Sequence, residues 1–376
     1  MKNQEPIRVA QIVGKWVGGG VEAVVMNYYK NIDRTKIQFD FLFDDDSIGI
    51  PYEEIKNLGG RVILIPPYQK IFKYHYELKK VLKDGNYKIV HSHINALSVF
   101  SLFAAKCAGV PVRIAHSHST TNRREWKKNL LKQLLRPFSK IFATNYMCCS
   151  EMAGRWLFGD REYDRGNVYL LNNAIDLDKF KYNAKIRKAI KNELNIPEST
   201  LVIGHVGRFV AQKNHSFLID VFNEFHKQNK DAVLILVGQG PLMEEIQKKV
   251  ADLNLNKNVR FLGQRNNVNE LYNAMDLFLF PSLYEGLGMV TIEAQANCLS
   301  CLVSDKVPLA AKISKYITFC SLNKSAKEWA EQAAKMVNES KIRGSKKYES
   351  GNYDIKKEAK KLENKYILYW REKIDI

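Results

Sequence analysis

The densest chemical pattern in the sequence lies in PSLYEGLGMVTIEA, at Pro281–Ala294. Glu285 falls in a glycine-containing loop, and Glu293 follows eight residues later, inside a predicted helix. The backbone N–H groups of Gly286–Val290 would point at the space above that helix N-terminus, where phosphate groups bind. Glu293 could then accept hydrogen bonds from a ribose diol, while Glu285 faces a sugar. The segment therefore predicts a sugar-nucleotide site.

Two cations precede this segment in a second loop. Gly207, Arg208 and Lys213 stand in GRFVAQK, between the predicted strand LVIGHV and a predicted helix, so both cations can reach one diphosphate. The next predicted strand ends in VGQGP, where Gly238 and Gly240 permit close backbone approach. Surface charge would be sufficient to explain the two cations alone. The carboxylate segment that follows them favours diphosphate binding.

Strands and helices alternate along both halves of the chain, which predicts an α/β protein with two parallel sheets and ligands at the carboxyl ends of the strands. The predicted strands lie in IRVAQIV, FDFLF, RVILI, KIVHSH, VRIAHSH and IFATN, then in LVIGHVGRF, AVLILVGQGP, NVRFLGQR, DLFLFPS and SCLVSD. Both HSH pairs fall at the ends of such strands.

The length of 376 residues exceeds one ordinary hydrophobic core, so two domains are expected. The predicted ranges are 1–178 for an N-terminal acceptor domain, 179–355 for a nucleotide-sugar domain and 356–376 for a closing helix. Helical periodicity supports the last range. Its apolar positions are Ala359, Leu362, Tyr366, Ile367 and Trp370.

The formal net charge of +18 predicts a polyanionic partner, which could be nucleic acid, anionic lipid or a phosphorylated substrate. The most basic stretch is RREWKKNLLKQLLRPFSK, at Arg123–Lys140. Its apolar residues recur at helical spacing, as in a helix that lies on anionic lipid, although a helix packed on the core with a basic face would show the same pattern. The absence of an RNP, helix-turn-helix or zinc-finger pattern disfavours nucleic acid.

The sequence shows neither a secretion signal nor a membrane span, and its six cysteines are sparse for its length. These features predict a cytoplasmic protein with reduced thiols. Two strings, Asp44-Asp45-Asp46 and Asp176-x-Asp178, match a metal-binding D-x-D pattern but are interpreted as turn and linker residues. We therefore expect no metal and no cofactor.

The chain resembles retaining glycosyltransferases of the GT-B fold, specifically glycosyltransferase family 4. The resemblance covers nearly the whole chain and rests on GGGVE, the HSH pairs, NNAIDLDKF, GRFVAQKNH, VGQGP, FLGQR and the Glu285-x7-Glu293 segment. It implies two Rossmann-like domains that face each other across a cleft, with a C-terminal helix that closes back. AHSHS after a Val-Arg-Ile strand is typical of relatives in bacterial capsule and exopolysaccharide assembly.

The resemblance implies that Arg208 and Lys213 bind the donor diphosphate, Glu293 the ribose and Glu285 the sugar hydroxyls. The full set implied at the nucleotide sugar is Gly19, Gly20, Gly207, Arg208, Lys213, Gly238, Gly240, Gln264, Arg265, Glu285, Gly286, Leu287, Gly288, Met289, Val290 and Glu293. Gly286-Leu287 departs from the Pro-Phe or Gly-Phe of many relatives, so the sugar stays open.

The family also has a functional histidine after a strand of the first domain, here His116 or His118, with His118 favoured because it lies further beyond the strand. His91 and His93 have either a supporting or an acceptor-site role. Gly18–Gly20 would line the phosphate and acceptor side.

The resemblance implies retaining transfer of a hexose or N-acetylhexosamine from a nucleotide diphosphate sugar, with UDP favoured over GDP and ADP. The acceptor would be a lipid-linked or saccharide molecule, at the inner face of an anionic membrane. Three alternatives stay open: a UDP-sugar epimerase, a non-catalytic partner subunit that keeps the fold, and a nucleic-acid binder.

Overall fold

The computed structural model describes residues 5–118, 126–339 and 353–374. The chain divides into two compact units. Residues 1–175 and 352–376 form the first unit, and residues 176–351 form the second.

The first unit contains a seven-stranded parallel sheet in the order β3-β2-β1-β4-β5-β6-β7. Its strands are β1 (Ile7–Gly14), β2 (Ile37–Asp44), β3 (Arg61–Ile65), β4 (Ile89–Ser92), β5 (Val112–Ser117), β6 (Asn145–Cys148) and β7 (Val168–Leu170). Its helices are α1 (Gly20–Asn31), α2 (Tyr52–Asn57), α3 (Ile71–Asp84), α4 (Ser98–Cys107), α5 (Trp126–Leu135), α6 (Glu151–Phe158), α7 (Asp160–Asp164) and a C-terminal helix described below.

The strand order reverses between β1 and β4, because β2 and β3 follow β1 on one side of the sheet, whereas β5, β6 and β7 follow β4 on the other. Gln11 on β1 lies opposite His91 on β4, and His91 lies opposite Ile114 on β5. Ligands of open α/β sheets bind beyond the strand ends at such a reversal. The sequence thus brings one amide and the first histidine pair to this point.

The second unit repeats the pattern with a six-stranded parallel sheet in the order β10-β9-β8-β11-β12-β13. The strands are β8 (Val202–Val206), β9 (Val233–Val237), β10 (Val259–Phe261), β11 (Leu277–Phe280), β12 (Ser300–Ser304) and β13 (Ile317–Cys320). The helices are α8 (Ala184–Glu193), α9 (His215–Gln228), α10 (Met243–Asp252), α11 (Val268–Ala274), α12 (Met289–Ala296) and α13 (Ala326–Glu339). The predicted α/β fold with two parallel sheets is confirmed.

The C-terminal helix, α14 (Ile355–Ile374), packs into the core of the first unit. Ile355, Ala359, Leu362 and Tyr366 are buried there with residues of β1, β2 and α1. Their spacing of three or four residues places them on one face of a helix, as the periodicity predicted. The helix that follows the second unit in sequence therefore belongs physically to the first.

One strand prediction was wrong. IFATN, at residues 141–145, was expected to form a strand, but β6 runs from Asn145 to Cys148. Phe142 and Ala143 instead pack from a loop against the core, and the Arg113 guanidinium donates to the Phe142 carbonyl oxygen. An apolar run that covers a core therefore need not be a strand. The prediction also omitted β7 and β13.

Part of the basic segment forms α5, and several apolar side chains of α5 and of the turn after it are exposed. The exposed fractions of Leu130, Leu134 and Phe138 are 57%, 62% and 49%. Leu135, by contrast, is half-buried and packs against the core of the first unit, so this helix is partly packed and partly exposed. Residues 123–125 and the side chains of residues 126–129 lie outside the described residues.

Among the described residues, no helix combines the length and the apolar character that a membrane crossing requires.

Candidate functional site

Three loops of the second unit lie against each other beyond the ends of β8, β9 and β10. The Gly207 N–H donates to the Val237 carbonyl, and the Phe209 N–H donates to the Gln239 carbonyl. A Cβ on Gly238, whose φ is +135°, would lie 2.2 Å from the Gly207 carbonyl oxygen, and one on Gly240 would lie 2.5 Å from that of Phe209. The predicted close approach at the last two glycines is thus to a neighbouring backbone segment.

Two polar side chains fasten the loop after β8 to the loop after β11. Gln212 accepts from the Leu283 N–H through its carbonyl and donates through its side chain to the Tyr284 carbonyl. Asn214, in the left-handed conformation with φ of +56°, donates to the Pro281 carbonyl. Sequence reasoning missed both residues. The conformation of Asn214 is one that asparagine adopts more readily than most residues, so its position before a helix was an available signal.

The structure brings Lys213 and Glu285 together. The Lys213 ammonium donates to Glu285 Oε1 at 2.6 Å and lies 4.6 Å from the centre of the Phe280 ring. Both side chains are largely buried, with 16% and 7% of their areas exposed. Arg208 lies nearer the start of the same loop, two residues after β8, and is exposed. Because the pair neutralises itself, the net positive charge of these three groups comes from Arg208.

Glu293 lies within α12, which begins after Gly288. Gly288 has φ of +80°, a conformation that glycine adopts without strain, and it caps the helix N-terminus. The Tyr272 hydroxyl donates to Glu293 Oε2 at 2.9 Å. Burial raises the pKa of Glu293, although the Tyr272 hydrogen bond and the Lys179 charge oppose that rise. Tyr272 is a further site residue that the sequence did not single out, because a tyrosine at an apolar helical position resembles core.

The other residues expected at the donor have mixed positions. Gly286 and Gln264 are exposed, Met289 and Val290 are half-buried, and Leu287 is buried. Arg265 is already engaged, because its guanidinium contacts Glu193 at 2.6 Å.

Gly207 itself lies over a buried histidine. A Cβ there would lie 2.9 Å from His205 Nε2. His215, the first residue of α9, stacks on Phe209 with ring centres 4.1 Å apart. Burial lowers the pKa of His215 to about 4 and lowers the pKa of His205 well below the ordinary value. Both histidine rings are therefore neutral at pH 7 and support the loop from beneath.

In the first unit, the glycine-rich loop leads directly into α1. Gly18 has φ of +68° and Gly19 caps the helix that starts at Gly20. Glu22 turns back to accept a hydrogen bond from the Val17 N–H at 3.1 Å. A Cβ on Gly19 would lie 2.9 Å from Glu22 Oε2. The second glycine therefore makes room for the carboxylate that holds this loop.

The four predicted histidines form one cluster at the carboxyl ends of β4 and β5, with His91 in β4, His116 in β5, and His93 and His118 just after these strands. His91 Nε2 lies 3.0 Å from His116 Nδ1, and His93 Nδ1 lies 2.8 Å from His118 Nε2. The His116 and His118 rings stack with centres 3.9 Å apart. Tyr366 on α14 completes the cluster, since its hydroxyl lies 2.7 Å from His91 Nδ1. Both histidine pairs thus belong to a single cluster. Which of His116 and His118 is the functional histidine, and whether His91 and His93 support it or contact the acceptor, stay open.

Burial keeps this cluster neutral. It lowers the pKa of His118 to about 3 and lowers the pKa of His91, His93 and His116 well below the ordinary value. The cavity between the rings has a volume of about 10 Å³, and its lining contains no carboxylate. A neutral imidazole offers one donor and one acceptor, so the cluster suits recognition of polar neutral groups.

The cluster also contains nitrogen atoms of the kind that bind metal ions. Ligand atoms of His91, His93 and His116 lie within 4.8 Å of one another. Hydrogen bonds, however, occupy both ring nitrogens of His91 and of His93. Only His116 Nε2 and His118 Nδ1 lack a partner among the described residues. Two such nitrogens are fewer than the three protein ligands of a typical catalytic zinc site.

Comparison with known proteins identifies glycosyltransferase sequences in both halves of the chain. A family model described as glycosyl transferases group 1 matches residues 186–362, and one described as glycosyltransferase family 4 matches residues 18–179. The putative glycosyltransferase EpsF of Bacillus subtilis is 36% identical over 339 residues, which cover 89% of this chain and 88% of EpsF. The chain belongs to the family 4 glycosyltransferases.

Further relatives share the length of this glycosyltransferase to different extents. The capsular polysaccharide biosynthesis glycosyltransferase CapH of Staphylococcus aureus is 27% identical over 89% of this chain and 92% of CapH. An Escherichia coli enzyme named UDP-Gal:α-D-GlcNAc-diphosphoundecaprenol α-1,3-galactosyltransferase is 29% identical over 63% of this chain and 62% of its own.

A solved structure confirms that the glycosyltransferase has the GT-B fold. The crystal structure of Anabaena HepE in complex with UDP and glucose matches with a TM-score of 0.73, 16% identity and 98% coverage of each chain. The family and fold implied by the sequence motifs are therefore confirmed. The roles of the individual site residues stay predictions.

Proposed function

We propose that this glycosyltransferase transfers a hexose or N-acetylhexosamine from a UDP-sugar to a lipid-linked or saccharide acceptor during cell-surface polysaccharide synthesis. The observation that carries the proposal is the linkage of the two loops of the second unit that hold Arg208, Lys213 and Glu285. The names of the E. coli and S. aureus relatives support the donor class, the lipid-linked acceptor and the polysaccharide product.

The proposed chemistry follows the charge that develops as the anomeric C–O bond breaks. That bond leaves electrons on the diphosphate, so fixed positive groups aimed at phosphate give the largest gain in rate. Arg208 is exposed and available for this task. In this proposal Lys213 shifts from Glu285 to a phosphate oxygen, which frees the carboxylate to accept from sugar hydroxyls.

Glu293 is proposed to bind the ribose. Its hydrogen bond from Tyr272 occupies one carboxylate oxygen and fixes the orientation of the other. A carboxylate in that arrangement can accept from a diol, with the helix N-terminus of α12 beside it for phosphate. We propose that neither a metal nor a cofactor takes part.

We further propose that transfer retains the anomeric configuration, as the resemblance to family 4 implies. In the proposed route the leaving phosphate accepts the proton of the acceptor hydroxyl. NMR of the first-formed product tests this step, and an inverted anomeric centre would contradict it.

The first test of the donor is thermal unfolding with UDP, GDP, ADP and their sugars. A nucleotide at 100 times its dissociation constant should stabilise the protein by about 2.7 kcal/mol. A shift with UDP that Glu293→Ala abolishes is expected. An epimerase would convert the UDP-sugar without any acceptor. Transferase activity that is unchanged by Glu285→Ala would favour a non-catalytic subunit.

The acceptor side of the proposal includes docking on an anionic membrane through α5. The exposed Leu130, Leu134 and Phe138 lie beside Lys132 and Arg136, a combination that binds the interface of anionic bilayers. Such a position, on the cytoplasmic face, would bring the enzyme to acceptors carried by membrane lipids.

A further inference from the structure

The Tyr366 network consists of one hydroxyl from which two hydrogen-bonded arms diverge. Its members are Tyr366, Gln11, His91, His93, His116 and His118. One arm runs through His91 to His116, and the other runs through Gln11 and His93 to His118. Each arm ends at a ring nitrogen that has no partner among the described residues, His116 Nε2 and His118 Nδ1.

The first arm is fixed by the amide of Gln11. Gln11 Nε2 donates to the Tyr366 oxygen at 3.1 Å, so the hydroxyl proton is directed to its other partner, His91 Nδ1, at 2.7 Å. A neutral ring that accepts at Nδ1 carries its proton on Nε2. His91 therefore donates to His116 Nδ1, and His116 in turn carries its proton on Nε2, at the free end of the arm.

The second arm runs in the opposite sense. Gln11 Oε1 can only accept, so His93 Nε2 donates to it at 2.8 Å and His93 Nδ1 has a lone pair. That lone pair accepts from His118 Nε2–H at 2.8 Å. The remaining nitrogen, His118 Nδ1, is consequently an acceptor at the free end of this arm.

The opposition between the two ends does not depend on the orientation of the Gln11 amide. Turning the amide over would reverse every hydrogen bond in both arms and exchange the two roles. One end would still donate and the other would still accept. The opposition requires only that all four rings are neutral, and their burial meets that requirement.

We infer that Tyr366 and Gln11 are positioning residues that make His116 Nε2 a hydrogen-bond donor and His118 Nδ1 a hydrogen-bond acceptor for a saccharide hydroxyl. A hydroxyl donates and accepts at once, so a donor and an acceptor on two stacked rings, whose centres lie 3.9 Å apart, recognise it without any net charge. The choice of a saccharide rests on the proposed function, whereas the assignment of donor and acceptor rests on the network alone.

Nitrogen-15 NMR of protein labelled on histidine tests the assignment, because the ring shifts distinguish Nδ1–H from Nε2–H tautomers. All four rings of the intact protein should be neutral Nε2–H tautomers at pH 7. The two free ends are different ring atoms, so opposite characters require that His116 and His118 share one tautomer. Different tautomers at these two residues, an Nδ1–H form at both, or a charged ring would overturn the inference.

Gln11→Glu makes a sharper test, because a carboxylate accepts from both neighbours. Tyr366 would then donate to the introduced carboxylate, and His91 would donate to Tyr366. His91 and His116 should therefore change to Nδ1–H tautomers, while His93 stays Nε2–H. A change in both arms, or in neither, would overturn the inference.

Tyr366→Phe links the network to turnover. It should lower kcat/KM for sugar transfer about tenfold, the loss expected for roughly one hydrogen bond. Tyr28→Phe is the matched control, since the Tyr28 ring lines the same cavity but its hydroxyl donates to the Asn172 carbonyl. Equal losses in both variants would overturn the positioning role.

The ligand class has its own test, in which UDP-glucose, UDP and glucose are added to the labelled protein. A sugar or sugar nucleotide should shift the resonances of His116 Nε2 and His118 Nδ1, and UDP alone should not. The assigned tautomers without any response to these sugars would overturn the ligand class. Absence of UDP binding, with the tautomers as assigned, would instead contradict only the proposed function.

Discussion

Lys213 and Glu285 form an ion pair in this structure, so under the proposed function a bound diphosphate would compete with a carboxylate for the ammonium group. Separating the pair costs the same free energy in either case, but the new contact of Lys213 would be stronger with a leaving diphosphate that carries extra negative charge than with the intact donor. Under the proposed function, the change of partner at Lys213 would therefore favour the state in which the C–O bond is breaking.

Replacing Lys213 or Arg208 by alanine should slow sugar transfer about a hundredfold or more, because a lost diphosphate contact in a closed site costs roughly 3 kcal/mol. Initial rates with UDP-sugar measure the effect. Lys227→Ala is the control, since Lys227 forms an exposed ion pair with Glu224 in the same unit. Near-normal rates in both site variants would remove the diphosphate assignment.

The buried charge of Glu293 is expected to lower the stability of the folded chain at pH 7, although the proposed function needs that charge to bind UDP. Burial raises its pKa, so the folded chain binds the proton more tightly than the unfolded chain. The free energy of unfolding therefore falls as pH rises from the ordinary carboxyl pKa towards the raised one. Glu293→Gln should unfold at a higher denaturant concentration than the parent at pH 7, with a smaller difference near pH ~4. It should also lose the thermal shift with UDP.

Glu328 supplies a control of opposite sign. Hydrogen bonds from the Ser325 N–H and hydroxyl lower its pKa, so its charged form stabilises the folded chain. Glu328→Gln should therefore lower stability at neutral pH while leaving the response to UDP intact. Lower stability at pH 7 in Glu293→Gln would contradict the account given for that residue.

At the scale of elements, the loops after β8 and β9 depend on two glycines. Gly238→Ala and Gly240→Ala should each destabilise the second unit by about 1–3 kcal/mol, because the added methyl group would meet a carbonyl oxygen of the neighbouring loop. Urea unfolding measures the loss. Gly286→Ala is the control, since a Cβ there meets nothing within 4 Å. Wild-type stability in the first two variants would contradict the predicted clash.

The proposed membrane docking would depend on α5 and the residues just after it. Replacing Leu130, Leu134 and Phe138 together by serine should reduce binding to anionic vesicles about tenfold or more, since each buried apolar side chain contributes roughly 1.5–3 kcal/mol. Cosedimentation measures the binding. Leu309→Ser is the control, because Leu309 is even more exposed but lies in the second unit. Equal binding of the triple variant and the control would contradict docking through this segment.

Apolar periodicity and turn residues in the sequence were sufficient to predict most helices and strands but not the contacts between them. RVILI became β3 residue for residue, because a short apolar run between turns has few alternatives. IFATN did not become a strand, since its apolar residues cover the core from a loop. Glu285 and Glu293 could be found from their spacing. Gln212, which bonds to the loop of Glu285, and Tyr272, which donates to Glu293, could not be found, because hydrogen bonds between distant segments leave no local pattern.

At the scale of the whole molecule, the first core is built from two separated parts of the chain. Leu362→Ala should cost about 2–5 kcal/mol, because Leu362 is buried against the first unit and truncation leaves a cavity. Unfolding in urea measures the cost. Leu368→Ala on the same helix should change little, since Leu368 is largely exposed. Equal effects of the two changes would contradict the packing of α14.

The placement of α14 has a consequence during translation. Domains usually fold in order as the nascent chain leaves the ribosome. Here residues 176–351 emerge before α14, so the second unit can complete its core while the first still exposes the surface that Leu362 and Tyr366 will cover. Tyr366 also carries the hydroxyl that orders the histidines. The nascent first unit therefore acquires its last core helix and its complete histidine cluster in the same late step.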